Sequence, residues 1–204
     1  MSLAHSPRIV TDGLVLCLDA GNTKSYPGSG SSIVDISGNG VIATLSNYTP
    51  ITSPYPGIKL NDDTGRINLS TITNITTVEL WFYQNVNTGN RYLLDMRTGG
   101  GGGWIYQASV GGNWSGGKLY INGQFIENIG NSVISTIENY TYQKYAQVVV
   151  IANTPATDDM NLFSRYSNNE SIDVNFYSAK VYNKALTASE IQQNFNALRG
   201  RFGI

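Results

Sequence analysis

Apolar and polar residues alternate along much of the chain with a period of two, as half-buried strands require. The clearest run is Val78-Glu-Leu-Trp-Phe-Tyr83, where Val78, Leu80 and Phe82 define one face and Glu79, Trp81 and Tyr83 the other. Leu14-Val-Leu-Cys-Leu18 is apolar throughout and reads as a strand buried on both faces. Further runs at 92–96, 104–110, 118–122, 133–137, 145–152, 160–165 and 172–182 are separated by spacers rich in Gly, Asn and Ser. The pattern predicts about ten strands in a sandwich or barrel. Asn122-Gly123 predicts a two-residue type I′ hairpin turn, because both residue types accept positive φ. In the last run apolar residues occupy even positions up to Phe176 and odd positions from Ala179, which places a bulge near 176–177.

Residues 19–57 are dominated by Gly, Ser, Asn and Pro and predict turns with two short strands. Near the C-terminus the period changes. Thr187-Ala-Ser-Glu190 forms a capping box, Leu186 and Ile191 are spaced as a hydrophobic staple, and Ile191, Phe195 and Leu198 line one face of a short amphipathic helix. Gly200 is placed to end it. Residues 1–13 read as a polar arm closed by the Asp12-Gly13 turn, and 14–204 as one domain without repeats.

Composition agrees with an all-β class: only 13% of the residues are charged, and Gly (22) and Tyr (13) are abundant, which favours strands and turns over helices. The formal charge is −1, so there is no electrostatic case for nucleic acid or an anionic membrane. One histidine, His5, leaves no internal Ser-His-Asp or Cys-His pair and no two-histidine zinc site. One cysteine, Cys17, excludes an intrachain disulfide and reads as a small buried hydrophobe. No segment approaches the ~18 apolar residues of a membrane helix, and the N-terminus lacks a secretory pattern, so synthesis in the cytoplasm is expected.

Five segments occur in a recognisable order: Asp12–Asn22, Ser25–Gly30, Asp35-Ile-Ser-Gly-Asn-Gly40, Val78–Tyr83 and Val181-Tyr-Asn-Lys-Ala-Leu-Thr-Ala-Ser-Glu-Ile191. Together they resemble the concanavalin A-like lectin/glucanase superfamily in its laminin G-like form, as found in virion proteins of tailed bacteriophages. The resemblance implies a jelly-roll sandwich of two antiparallel sheets. It also implies a non-catalytic structural protein on the phage particle, a capsid decoration protein or otherwise a tail accessory protein. Its partners would then be other virion proteins, in a homo-oligomer or lattice. The alternative expectation is a glycan-binding module for host surface polysaccharide.

Glucanases of that superfamily alternate acidic residues along one strand so that two carboxylates flank the bond about 5–5.5 Å apart. Here the nearest approach is Glu170-Ser-Ile-Asp173, whose odd spacing puts the two on opposite sides of a regular strand. No enzyme is expected. Glycan contact falls to Trp104, Tyr106, Asn113 and Trp114, which sit among glycines where aromatic faces meet amide oxygens. Asp35 and Asn39, in Asp-x-Ser-x-Asn-Gly, imitate half of a calcium loop, although position twelve would be Ser46 rather than Glu. Asx turns explain the same residues without a metal.

Overall fold

The computed structural model describes residues 7–61, 64–86, 91–97, 102–130 and 137–204. In chain order the strands are β1 (Leu14–Asp19), β2 (Ser32–Val34), β3 (Ile42–Ser46), β4 (Tyr48–Ile51), β5 (Gly57–Leu60), β6 (Arg66–Gln84), β7 (Tyr92–Asp95), β8 (Trp104–Tyr106), β9 (Val110–Gly111), β10 (Lys118–Ile121), β11 (Gln124–Asn128), β12 (Tyr145–Leu162) and β13 (Val174–Tyr182). Among the described residues the α-helical segments are a single turn, α1 (Glu138–Thr141), and the C-terminal helix α2 (Ala188–Leu198). All strand pairs are antiparallel, and hydrogen bonding joins the thirteen described strands into one sheet folded over as a sandwich.

The fold-over is carried by β6 and β12, which are too long for a single layer. Residues 77–83 of β6 pair with 145–151 of β12, residues 67–75 pair with 156–162, and the ladder slips repeatedly between Ile151 and Met160. Each strand therefore passes from one layer into the other, with Asn74 in the left-handed region (φ 54°) at the bend. The first layer runs β11-β10-β12-β6-β13, with β1 and β5 sharing the far edge of β13. The second runs β2-β3-β6-β12-β7-β8-β9.

Register explains the core. Directly opposed residues project from the same face, and Leu119, Val150, Val78, Val181 and Leu16 form one such row across the first layer. Leu45, Ile67, Leu162, Leu94, Ile105 and Val110 form the matching row across the second. Both rows are buried in one hydrophobic cluster. The Asn122-Gly123 turn has φ values of 50° and 78°, and the β13 register shifts between Phe176 and Ser178, both as the sequence predicts. The 133–136 part of one expected strand lies outside the described residues, and Ile137 leads into α1.

The outer face of the first layer is covered by α2. Thr187 caps the helix with the reciprocal Glu190 bonds of a capping box, and Leu186 and Ile191 are packed in one buried cluster. Trp81 stacks on Phe195 and Phe202, at centroid distances of 5.8 and 5.1 Å. The α-helix ends at Leu198 with Arg199 as its C-cap, so Gly200 stands at C′ as the sequence predicts, but it is not the left-handed stop. The chain tightens into a 3-10 turn, Arg199–Phe202, which drives Phe202 into the aromatic cluster, and Gly203 (φ 68°) supplies the left-handed stop. The described part of the 1–13 segment is also bound here: Val10 is buried and its amide donates to Asn194 Oδ1 at 2.8 Å.

Beneath α2 lies a buried ion pair, Lys180 Nζ to Glu79 Oε1 at 3.0 Å. Trp81 Nε1 donates to the same oxygen at 2.9 Å, and Asn194 Nδ2 donates to Oε2 at 2.7 Å. A buried pair is tolerable only when its remaining hydrogen-bonding capacity is filled, and both carboxylate oxygens of Glu79 are filled in this way.

Candidate functional site

The outer face of the second layer carries no helix among the described residues. Its middle is a row set by strand register: Thr44, Asn68, Asn161, Asp95, Trp104 and Gly111, each directly opposite the next. Asn68 Nδ2 donates to Asn161 Oδ1 at 2.6 Å, and Arg66 Nε donates to Asn68 Oδ1 at 3.1 Å. At the β12 end, Asn161 Nδ2 donates to the Arg165 carbonyl at 3.0 Å, fastening the loop after β12 to the face.

The row ends in an aromatic group built around Arg97. Asp95 is fully buried, and Arg97 grips it bidentately through Nε (2.9 Å) and Nη2. The guanidinium carbon lies 4.5 Å from the Trp104 ring centroid, 5.0 Å from Tyr166 and 5.3 Å from Tyr92, all within cation–π range. The hydrogen bond to Asp95 pushes the Arg97 pKa up and keeps the side chain charged. Tyr92 and Tyr106 are directly opposed with rings 4.6 Å apart, and the register slip between Tyr92 and Leu94 is what turns Tyr92 to this face. Burial raises the Tyr106 phenol, and the nearby Glu170 charge raises it further. Glu170 itself is paired with Arg165 at 2.8 Å. The surface thus combines apolar ring faces, paired charges and a ladder of amides, groups that make contacts and hydrogen bonds.

The four candidate glycan residues divide. Trp104 and Tyr106 stand on this face, half-buried. Trp104 lies flat over Gly111, where an added Cβ would come within 2.2 Å of the indole ring, so glycine is required opposite it. Trp114 is a correction to the sequence expectation: it is fully buried in the main core and offers no face to a ligand. Asn113 Nδ2 donates to the carbonyls of Thr154 and Pro155, both at 3.0 Å, and so fastens the Gly112–Trp114 turn to the bend of β12. The Thr98–Gly101 stretch lies outside the described residues. Sequence reasoning missed Arg97 and Tyr166. The same-face spacing of Asp95 and Arg97 was an available signal for the first, whereas Tyr166 arrives by a loop with no periodic pattern.

Asp35 and Asn39 also need correcting as calcium ligands. Asp35 Oδ1 accepts from the amides of Cys17 and Ser37, both at 2.9 Å, and Oδ2 from Ser37 Oγ at 2.8 Å and the Val41 amide at 3.3 Å. Asn39 turns its amide nitrogen to the Leu14 carbonyl (3.2 Å) and Ser37 Oγ (2.9 Å). A calcium ion needs oxygen lone pairs converging on one centre, and here those of Asp35 are spent on donors while Asn39 is held through its amide nitrogen. Among the described residues no three His, Cys, Asp or Glu side chains cluster for a metal. Glu170 and Asp173 diverge as well, since Asp173 accepts from Asn85 Nδ2 at 2.7 Å on the β13 side.

No protein-family profile and no curated protein matches the sequence. Solved structures do resemble the fold. A mutant Trypanosoma rangeli sialidase displaying trans-sialidase activity superposes with TM-score 0.59 and 19% identity, covering 94% of this chain and 34% of the sialidase. Trypanosoma rangeli sialidase in complex with sialic acid gives TM-score 0.58 and 16% identity, covering 96% and 36%. The binding domain of botulinum neurotoxin DC in complex with rat synaptotagmin II gives TM-score 0.52 and 14% identity, covering 93% and 52%. This chain therefore spans about a third to a half of these proteins, and the likeness establishes an all-β sandwich fold.

Proposed function

We propose that the chain is a non-catalytic, laminin G-like virion domain of the concanavalin A-like kind, a capsid decoration protein or otherwise a tail accessory protein, held on the phage surface by protein–protein contacts. The observation that carries the non-catalytic part is that the two acids beside the aromatic rings are both paired: Asp95 is gripped by Arg97 and Glu170 by Arg165. Neither is left to act as nucleophile or proton donor. Attachment is supported by Val34 and Ile42, which oppose each other across β2–β3 and are 54% and 67% exposed, a place for a neighbouring subunit to bury apolar surface. The virion setting itself rests on the resemblance of the five segments named above. Mass spectrometry of purified particles tests it: hundreds of copies per particle fit decoration of a capsid, a few fit the tail, and absence from the particle rejects the reading.

The second reading, adhesion to host polysaccharide, is favoured by one feature, the Trp104, Tyr106, Tyr92 and Tyr166 rings around Arg97. The neighbours include a sialidase bound to sialic acid and a toxin whose cell entry depends on gangliosides, so glycan recognition occurs in proteins containing this fold. A glycan array probed with the wild-type chain and with Trp104→Ala tests it. Retention that disappears in the variant supports adhesion, and absence of retention removes it.

A further inference from the structure

Lys180, Glu79 and Asn194 bring an amine, a carboxylate and a primary amide together beneath α2 with all three side chains buried. One carboxylate holds both partners: Glu79 Oε1 accepts from Lys180 Nζ at 3.0 Å and Oε2 accepts from Asn194 Nδ2 at 2.7 Å. The other polar atom of the amide is engaged too, since Asn194 Oδ1 accepts from the Val10 amide at 2.8 Å. With Trp81 Nε1 also on Oε1, these contacts satisfy the buried charges. This arrangement additionally puts a base beside the nucleophile, the same group beside a leaving nitrogen, and an N–H donor on the oxygen where negative charge would develop. We propose that Lys180 and Asn194 form an intramolecular isopeptide bond, with Glu79 as the proton carrier and the Val10 amide stabilising the oxyanion.

The step balances without an oxidant or cofactor. Glu79 takes a proton from the ammonium of Lys180. The freed lone pair attacks Cγ of Asn194, and the C=O electrons move to Oδ1 against the Val10 N–H. Glu79 then passes its proton to Nδ2 and receives the second proton from Nζ, the Cγ–Nδ2 bond breaks, and ammonia departs. The proton left on Glu79 stays there or leaves with the ammonia. Burial assists because two opposite charges become a neutral amide, and a desolvated lysine is the better nucleophile. Nζ must leave Oε1 to reach Cγ, and Asn194 is held for it by Glu79 Oε2 and Tyr182 Oη at Nδ2 (2.7 and 2.9 Å) and by the Val10 amide at Oδ1. The bond would tie β13 to α2 covalently, whatever surface the domain works on.

The test is the intact mass of the purified, folded full chain. The expected mass is below the sequence value by one ammonia (about 17 Da), with digestion yielding a branched peptide that joins Lys180 to Asn194. Lys180→Arg keeps the charge and removes the nucleophilic amine, so it should show the full sequence mass, and Glu79→Gln should lose the ammonia far more slowly. A folded wild-type chain with the full sequence mass overturns the proposal, as does an ammonia loss that maps to any other residue pair. These outcomes are read on the chain alone, so they stand apart from any result on particles or glycans.

Discussion

Replacing Asp35 by alanine separates a loop organiser from a calcium ligand. The 35–41 loop lies along the free edge of β1: Cys17 donates to Asp35 Oδ1 and its carbonyl accepts from the Ile36 amide, while Ser37 Oγ and Asn39 Nδ2 reach the carbonyls of Val15 and Leu14. Removing the carboxylate strands the Cys17 amide, and Cys17 is only 5% exposed. An unsatisfied buried donor costs about 1–3 kcal/mol. The Ser37 and Val41 donors lie in half-exposed residues and turn to water, adding roughly 0.5 kcal/mol each. The total is about 3 kcal/mol, which for a chain of this size lowers Tm by about 6–12 °C.

The assay is thermal unfolding of wild type and Asp35→Ala, each with EDTA and with millimolar calcium. The expected result is a lower Tm for the variant and the same Tm for each protein in both buffers. Increased aggregation of the variant is also expected, because the uncovered β1 edge becomes available for pairing. If calcium raises the wild-type Tm and the variant loses that increment, the loop is a metal site and the hydrogen-bond argument is wrong.

Trp114→Ala should cost about 3–5 kcal/mol by emptying the core, whereas Trp104→Ala should cost under about 1.5 kcal/mol because that ring is half-exposed; urea midpoints at constant m decide between the two placements. Gly123→Ala should destabilise by about 1 kcal/mol or more, since φ is 78° there and the added Cβ would meet the Gln192 side-chain oxygen at 2.7 Å; chemical unfolding measures it. Burial pushes the Cys17 thiol up from 9.0 to about 11, so iodoacetamide should fail to label the folded chain at pH 8 and label it in denaturant. A raised thiol pKa means that the unfolded chain loses this proton first as pH rises. The corresponding stability is intact below pH 9 and declines between pH 9 and about 11. The buried phenols of Tyr177 and Tyr182, also raised, act in the same direction. The Cys17→Ala variant should therefore decline less steeply over that interval, and equal slopes would refute the assignment to Cys17.

Much of the fold was legible because local chemistry and tertiary structure agree at the positions concerned. The I′ turn at Asn122-Gly123, the bulge after Phe176 and the Thr187 capping box each follow from a few adjacent residues. The continuity of β12 was not legible: residues 145–152 and 160–165 look like two strands, because the intervening Asn-Thr-Pro-Ala-Thr-Asp-Asp bends through the layer change and alternates weakly. Gly200 marks the end of the α-helix, but the 3-10 turn that follows was not legible, because only the aromatic pocket that receives Phe202 dictates it. The site was half visible. Trp104 and Tyr106 are spaced by two on one strand, but Asn68, Asn161 and Asp95 reach the same row only through the register of three strands far apart in sequence.

The residues that make the sequence recognisable do most of their work on the side of the molecule away from the open face. Leu14–Asp19 forms the covered edge strand, Asp35 and Asn39 bind that edge, Glu79 and Trp81 hold α2 to the sheet, and Thr187 and Glu190 start that helix. All of these complete the first layer and its cover. They therefore carry information about how the sandwich is closed and none about the chemistry of the other side. The second layer's outer face is built differently: its core row fixes the inward residues, while its outward row of amides, Asp95–Arg97 and aromatic rings fastens the loop after β12 and leaves Trp104 and Tyr106 half-exposed. If the proposed adhesion holds, substitutions at exposed ring positions on that face change binding and leave unfolding nearly unchanged, whereas those beneath α2 change unfolding, and an assay that scores both on the same variants separates the two.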